Sequence, residues 1–141
     1  MKRDATQDVE PPSPEDLEAI EAVARDYVEG WFDGDEARMR RCLHPELVKR
    51  TLYHDPATGD WRLGRPADAE MMAGWTRAGD GRTTVAEERT FKIAIENVFR
   101  HVASASVLSS PYMDLLHIAK LGNRWLIVNV LWEVRQGETQ P

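Results

Sequence analysis

The feature that most limits how this chain can fold is its last ordered stretch, "YMDLLHIAKLGNRWLIVNVLWEV", residues 112–134. Two strand-like runs, 112–121 and 124–134, are separated only by Gly122-Asn123, a pair suited to a two-residue hairpin turn. So short a loop fixes the register. It sets Leu121 opposite Arg124, Ile118 opposite Ile127, Leu116 opposite Asn129 and Asp114 opposite Leu131. Tyr112, Asp114, Leu116 and Ile118 then share a face with Trp125, Ile127, Asn129 and Leu131. The other face carries Met113, Leu115, His117 and Ala119 beside Leu126, Val128, Val130 and Trp132, and is almost wholly apolar.

Upstream, Ser13-Pro14-Glu15-Asp16 is a helix start, with a hydroxyl cap, a first-turn proline and first-turn acids. Leu17, Ile20, Val23, Tyr27 and Trp31 recur at helical spacing up to Gly34, which stops the helix. Asp35 caps a short second helix carrying Met39 and Leu43, ended by Pro45. Residues 47–53 read as a strand, "DPATGD" as a turn and 61–63 as its partner. A third helix is expected from about Ala67 to Ala78, with Met71, Met72 and Trp75 on its apolar side. Strands then follow over 90–99, 102–110, 112–121 and 124–134. Helices first and a long antiparallel sheet last give an α+β fold. Three helices are too few to cover both faces of such a sheet, so its outer face needs a partner. The expected organisation is a disordered arm over 1–12, one domain over 13–135 and a flexible tail over 136–141.

With 141 residues, 42% hydrophobic and 30% charged, the chain has the composition of one ordinary globular domain. A net charge of -6 argues against a nucleic-acid partner, which would call for a basic patch. No apolar run has the length of a membrane span, and the N-terminus lacks the apolar core of a signal peptide. The lone cysteine, Cys42, has no internal disulfide partner, which fits a cytoplasmic protein. On a helix among arginines it reads as a half-buried structural thiol.

"ARDYVEGWFDGDEARMRRCLHPEL", followed late by "YMDLLHIAKLGNRWLIVNVLW", resembles the nuclear transport factor 2-like superfamily over about residues 15–134. More narrowly it is similar to the "putative lumazine-binding" branch, near the SnoaL-like proteins. The resemblance implies a cone-shaped, curved antiparallel sheet wrapped around three helices, with a pocket at the wide end. It also implies dimerisation through the sheet's outer face. The Trp125 face becomes the pocket side. The Leu126 face, with Leu115, Val128, Val130 and Trp132, becomes the homodimer side.

Among such relatives the ketosteroid isomerases pair a helix tyrosine with a protonated sheet aspartic acid as an oxyanion hole. By that resemblance Tyr27 and Asp114 occupy the two positions. The position of the isomerase base falls near Thr51, where no carboxylate stands, and proton abstraction needs a base. The expected pocket set is Tyr27, Trp31, His44, Tyr53, Trp75, Tyr112, Asp114, Leu116, Trp125 and Asn129.

Each residue has a plainer reading. Tyr27 and Asp114 form either a ligand-binding pair or a buried hydroxyl satisfied by a carboxylate. Asn129 either orients a ligand or bridges strands. Trp31, Trp61, Trp75 and Trp125 either wall a cavity or fill a core. His44, Glu46, His54 and Asp55 match no compact metal-ligand spacing, so no metal is expected. His44 closes the second helix, and by the resemblance its loop stands near the pocket mouth, which makes it the best substitute base. His117 reads as an outer-face residue, and Arg38-Met39-Arg40-Arg41 as a solvated helix face. No glycine-rich phosphate loop and no Ser-His-Asp set stands out, and no cofactor is implied. The expected function is small-molecule binding in an aromatic-lined pocket. The alternatives are a SnoaL-like or isomerase-like enzyme acting on a polycyclic or carbonyl substrate, and a dimerisation module with a filled cavity.

Overall fold

The computed structural model describes residues 10–135. Most of the expected arm (1–9) and all of the expected tail (136–141) lie outside the described residues. Helix α1 (Pro14–Asp33) begins where Ser13 accepts a hydrogen bond from the Asp16 amide, and ends at Gly34 with φ 67°. That left-handed conformation suits glycine. Helix α2 (Glu36–Cys42) starts on Asp35, whose carboxylate accepts from the Arg38 amide. It is shorter than expected, because Leu43 is already extended and opens strand β1 (Leu43–His54). Pro45 falls inside β1, between Leu43 and Val48, where pairing to the neighbouring strand is irregular. A residue without an N–H is tolerated there.

Strand β2 (Trp61–Leu63), helix α3 (Ala69–Ala78) and two short 3-10 turns, Asp80–Thr83 and Ala86–Glu88, lead into the long strands. These are β3 (Phe91–Phe99), β4 (Val102–Ser109), β5 (Tyr112–Leu121) and β6 (Arg124–Val134). The six strands form one curved sheet in the order β2-β1-β6-β5-β4-β3. Its pairs are antiparallel, save that β1 runs parallel to β6. The fold is α+β, with α1 packed against β3, β4 and β6. Ile20, Ala24, Tyr27 and Val28 of α1 meet Val107, Leu116, Ile118, Ile127 and Val130 of the sheet in a single core. No described helix is long and apolar enough to cross a membrane.

The hairpin departs from simple alternation at one residue. Ile118 pairs with Ile127 as expected, but His117 pairs with Asn129, so Val128 is an extra residue in β6. A bulge of this kind moves every later side chain to the opposite face. Asp114 therefore faces Trp132 and Leu116 faces Val130. Val130, expected on the outer face, is 1% exposed and belongs to the core. Trp132, expected outside with it, turns to the helix side. Asn129 and Leu131, expected inside, go the other way. Asn129 bonds His117 Nδ1 at 3.2 Å across the outer face, and Leu131 is exposed.

The ends of α1 are tied to the rest by charge. Asp16 accepts from the Trp125 indole and from Lys120 Nζ, both at 3.0 Å. The indole bond is the chief reason its carboxyl is held below the ordinary value. At the other end Arg38 donates to Asp26 and Glu29, and Arg41 donates to Asp26, locking α2 onto α1. Cys42 beneath them is fully buried, and burial pushes its thiol up to about 12. That excludes an activated nucleophile.

Candidate ligand-binding site

A cavity of about 630 Å³ opens where α1, β1, α3, the turn Asp80–Thr83 and the strands β5 and β6 meet. Its size lies within the range of small-molecule pockets. The polar groups at its inner end come from three elements. Tyr27 projects from α1, Lys49 from β1 and Asp114 from β5. Tyr27 Oη donates to Asp114 Oδ1 at 3.0 Å and accepts from Lys49 Nζ at 2.5 Å. Lys49 Nζ stands 3.9 Å from the same carboxylate oxygen. Among the described residues none bonds Asp114 Oδ2, and none has a buried side-chain oxygen without a partner. Oδ2 is therefore open to the cavity.

Aromatic rings surround this cluster. Lys49 Nζ lies 5.0 Å from the Tyr27 ring centre, 5.7 Å from Trp132 and 6.0 Å from Trp31. Distances of this order let ring quadrupoles attract an ammonium. Tyr112 stands edge-on to Trp132, 5.1 Å between centroids. Trp75 and Met72 of α3 close the opposite wall, while Arg65, Asp80 and Thr83 also contribute to the lining. The wall nearest α1 depends on Gly81. A Cβ there would lie 2.1 Å from the Trp31 carbonyl oxygen, so only glycine lets the Asp80–Thr83 turn rest on α1.

Burial dominates the electrostatics. It raises the Asp114 carboxyl above its ordinary range, opposed by the Lys49 charge and the Tyr27 hydrogen bond. It lowers the Lys49 ammonium, opposed by Asp114. It also lifts Tyr27 well above the ordinary phenol, aided by the Asp114 charge. All three shifts favour uncharged forms.

The "Putative lumazine-binding" family pattern matches residues 15–133, nearly the whole described fold. The chain belongs to that family. Solved structures of the same fold include nuclear transport factor 2-like proteins of unknown function from Shewanella baltica and Silicibacter pomeroyi. The first has a TM-score of 0.66 at 15% identity, covering 91% of this chain and 100% of that one. The second has a TM-score of 0.64 at 17% identity, covering 89% and 100%. A cystatin-like domain of unknown function from Nostoc punctiforme matches at 0.56 and 15%, covering 91% of this chain and 81% of that one. No functionally curated protein matches the chain.

In this member of the "Putative lumazine-binding" family, Tyr27, Trp31, Trp75, Tyr112 and Asp114 of the expected set meet around one cavity. The others stand elsewhere. Leu116 is core. Trp125 is buried beside Asp16. Asn129 is on the outer face. His44 uses Nδ1 to accept from the Glu46 amide, and Tyr53 is exposed near the end of β1. Trp61 is also exposed, edge-on to His54. Thr51 lines the cavity, but its hydroxyl donates to the Trp132 carbonyl at 2.9 Å. Among the described residues no three His, Cys, Asp or Glu side chains gather as metal ligands.

Lys49 and Trp132 line the pocket as well, outside the expected set. Trp132 is hidden in the sequence by the bulge. Lys49 did leave a signal, because Leu47, Lys49 and Thr51 share one face of a strand. Leu47 is apolar and Thr51 stands where the isomerase base would, so the lysine between them had to point inward.

Proposed function

We propose that this protein binds a planar small molecule carrying an oxygen acceptor, held between the tryptophan walls and the Lys49–Tyr27–Asp114 cluster. The observation behind this reading is hydrogen-bonding capacity left unused in a cavity whose walls include Trp31, Trp75, Tyr112 and Trp132. Lys49 Nζ hydrogen-bonds only Tyr27 among the described residues, and Asp114 Oδ2 is open. A ligand oxygen placed there accepts a hydrogen bond from Lys49 or from a protonated Asp114, while its ring system lies against Trp31 and Trp132. Tyr27 and Asp114 bond one another, so a ligand competes with that bond.

Tryptophan fluorescence titrated with lumazine and with 2-naphthol tests the reading, alongside native mass spectrometry of the purified protein for retained ligand. Saturable quenching is expected. Tyr27→Phe and Asp114→Leu should each weaken binding by about 1–3 kcal/mol, whereas Asp114→Asn, still a donor, should keep most of it. Absence of quenching and of retained ligand would overturn the proposal.

The outer sheet face supports a second part of the reading, a homodimer. Leu115 and Leu131 are 46% and 39% exposed on paired positions of β5 and β6. The bulge substitutes Leu131 for Val130 and Trp132 in the patch expected from sequence. A second copy, presenting the same apolar strip, satisfies both faces at once.

A further inference from the structure

We infer that Lys49 is a carbonyl-reactive amine, placed to condense with an aromatic aldehyde bound in the cavity and hold it as an imine. The inference rests on the ligand-binding reading above and names its substrate class. Three geometric facts carry it. Lys49 is the one lysine among the described residues that lines the cavity; Lys120 is engaged by Asp16, and Lys92 is exposed on β3. Its amine is ringed by Tyr27, Trp31 and Trp132, surfaces that stack against a planar aryl group. And it is the first link of a chain in which Lys49 Nζ donates to Tyr27 Oη and Tyr27 Oη donates to Asp114 Oδ1.

That chain solves the main difficulty of a lysine nucleophile, its proton. Two short transfers, Lys49 to Tyr27 oxygen and Tyr27 hydrogen to Asp114, turn an ammonium and a carboxylate into a free amine and a carboxylic acid. Tyr27 ends as it began. Both buried charges vanish together, the direction in which burial drives each partner. Desolvation of this kind is a recognised way of activating a lysine toward carbonyls.

The step balances. The amine nitrogen forms a bond to the aldehyde carbon, and the carbonyl oxygen takes up a proton, giving a carbinolamine. The carbon–oxygen bond then breaks, and the oxygen leaves as water with protons supplied by the amine and by Asp114. What remains is a protonated imine beside the Asp114 carboxylate. No oxidant, reductant or further reactant is consumed.

The probe is 2-naphthaldehyde with sodium cyanoborohydride, followed by intact mass and peptide mapping; 2-naphthylmethanol, which keeps the rings and lacks the carbonyl, reports binding alone. We expect a single naphthylmethyl addition at Lys49, severalfold faster than at the exposed Lys92, because the aromatic walls hold the aldehyde beside Lys49 and burial favours its free amine. Lys49→Arg, which keeps the cation, should abolish it without unfolding the protein. Tyr27→Phe should slow it by breaking the relay. Excess 2-naphthylmethanol should protect Lys49 from labelling. If the alcohol binds but Lys49 labels no faster than Lys92, the imine is refuted and the pocket stands. If neither probe binds, both readings fall.

Discussion

Removing the Lys49 side chain's charge, as in Lys49→Met, leaves Asp114 as an unpaired acid in the core, and the size of the effect follows from the geometry. At 3.9 Å and an effective dielectric of about 20, the two charges attract by about 4 kcal/mol. Breaking a buried pair from one side costs about 3–5 kcal/mol. The lower end applies here, because Asp114 Oδ2 opens to the cavity and its water. A loss of about 3 kcal/mol lowers the melting temperature by about 10 °C in a domain of this size.

The loss depends on pH. Asp114 already has its carboxyl raised above 3.8 by burial, so between 3.8 and its folded value the folded state holds a proton that the unfolded chain gives up. Stability from that proton is complete below pH 3.8 and declines as pH rises through the folded value. Without Lys49 the opposing charge is gone, the carboxyl moves further up and the decline deepens. Urea unfolding of wild type and Lys49→Met at pH 5 and pH 8 should show a gap that widens at the higher pH. Adding Asp114→Leu removes the stranded charge, and Tyr27→Phe then removes the orphaned hydroxyl. This triple variant should return to within about 1–2 kcal/mol of wild type. A gap identical at both pH values, or single losses that simply add in the combined variant, would refute the charge-pair account.

Other expectations are independent of the pocket's chemistry. Ser13→Ala removes the cap of α1 and should cost about 1 kcal/mol in chemical denaturation. Gly81→Ala forces a methyl group against the Trp31 backbone; it should lower the melting temperature and weaken 2-naphthol binding together, since the same contact shapes the cavity wall. Cys42, buried with its thiol pushed up to about 12, should resist thiol reagents in the native protein and react only on unfolding. Leu131→Glu should shift the sedimentation of the proposed dimer toward monomer while leaving the melting temperature of the domain nearly unchanged.

Local chemistry made much of the fold legible in advance. The Ser13-Pro14 start and Gly34 stop of α1 rest on backbone groups that cap or turn irrespective of the tertiary context. Gly122 and Asn123, both at positive φ, turn the hairpin for the same reason. The Tyr27–Asp114 meeting, 87 residues apart, came from family resemblance, which carries tertiary information that a single pattern lacks. What stayed hidden was phase. Nothing in "WLIVNVLW" says which of its uniformly apolar residues is the extra one, because Leu126, Ile127, Val128 and Val130 all suit either face. Lys49 stayed hidden for a different reason: lysine is so rarely buried that strand alternation alone does not single it out as inward-facing.

The extra residue at Val128 also shapes how this pocket can change over generations. Substitutions alter one wall position at a time, but a one-codon deletion at 128 would restore plain alternation along the rest of β6. Val130 and Trp132 would swing outward, and Asn129 and Leu131 would replace them beside Lys49 and Tyr112. A single genetic event would thus strip an aromatic wall from the cavity and put a carboxamide and an aliphatic group in its neighbourhood, leaving the hairpin turn untouched. Relatives that differ by one residue between the last turn and the closing tryptophan should therefore differ in ligand chemistry more than their overall identity would suggest.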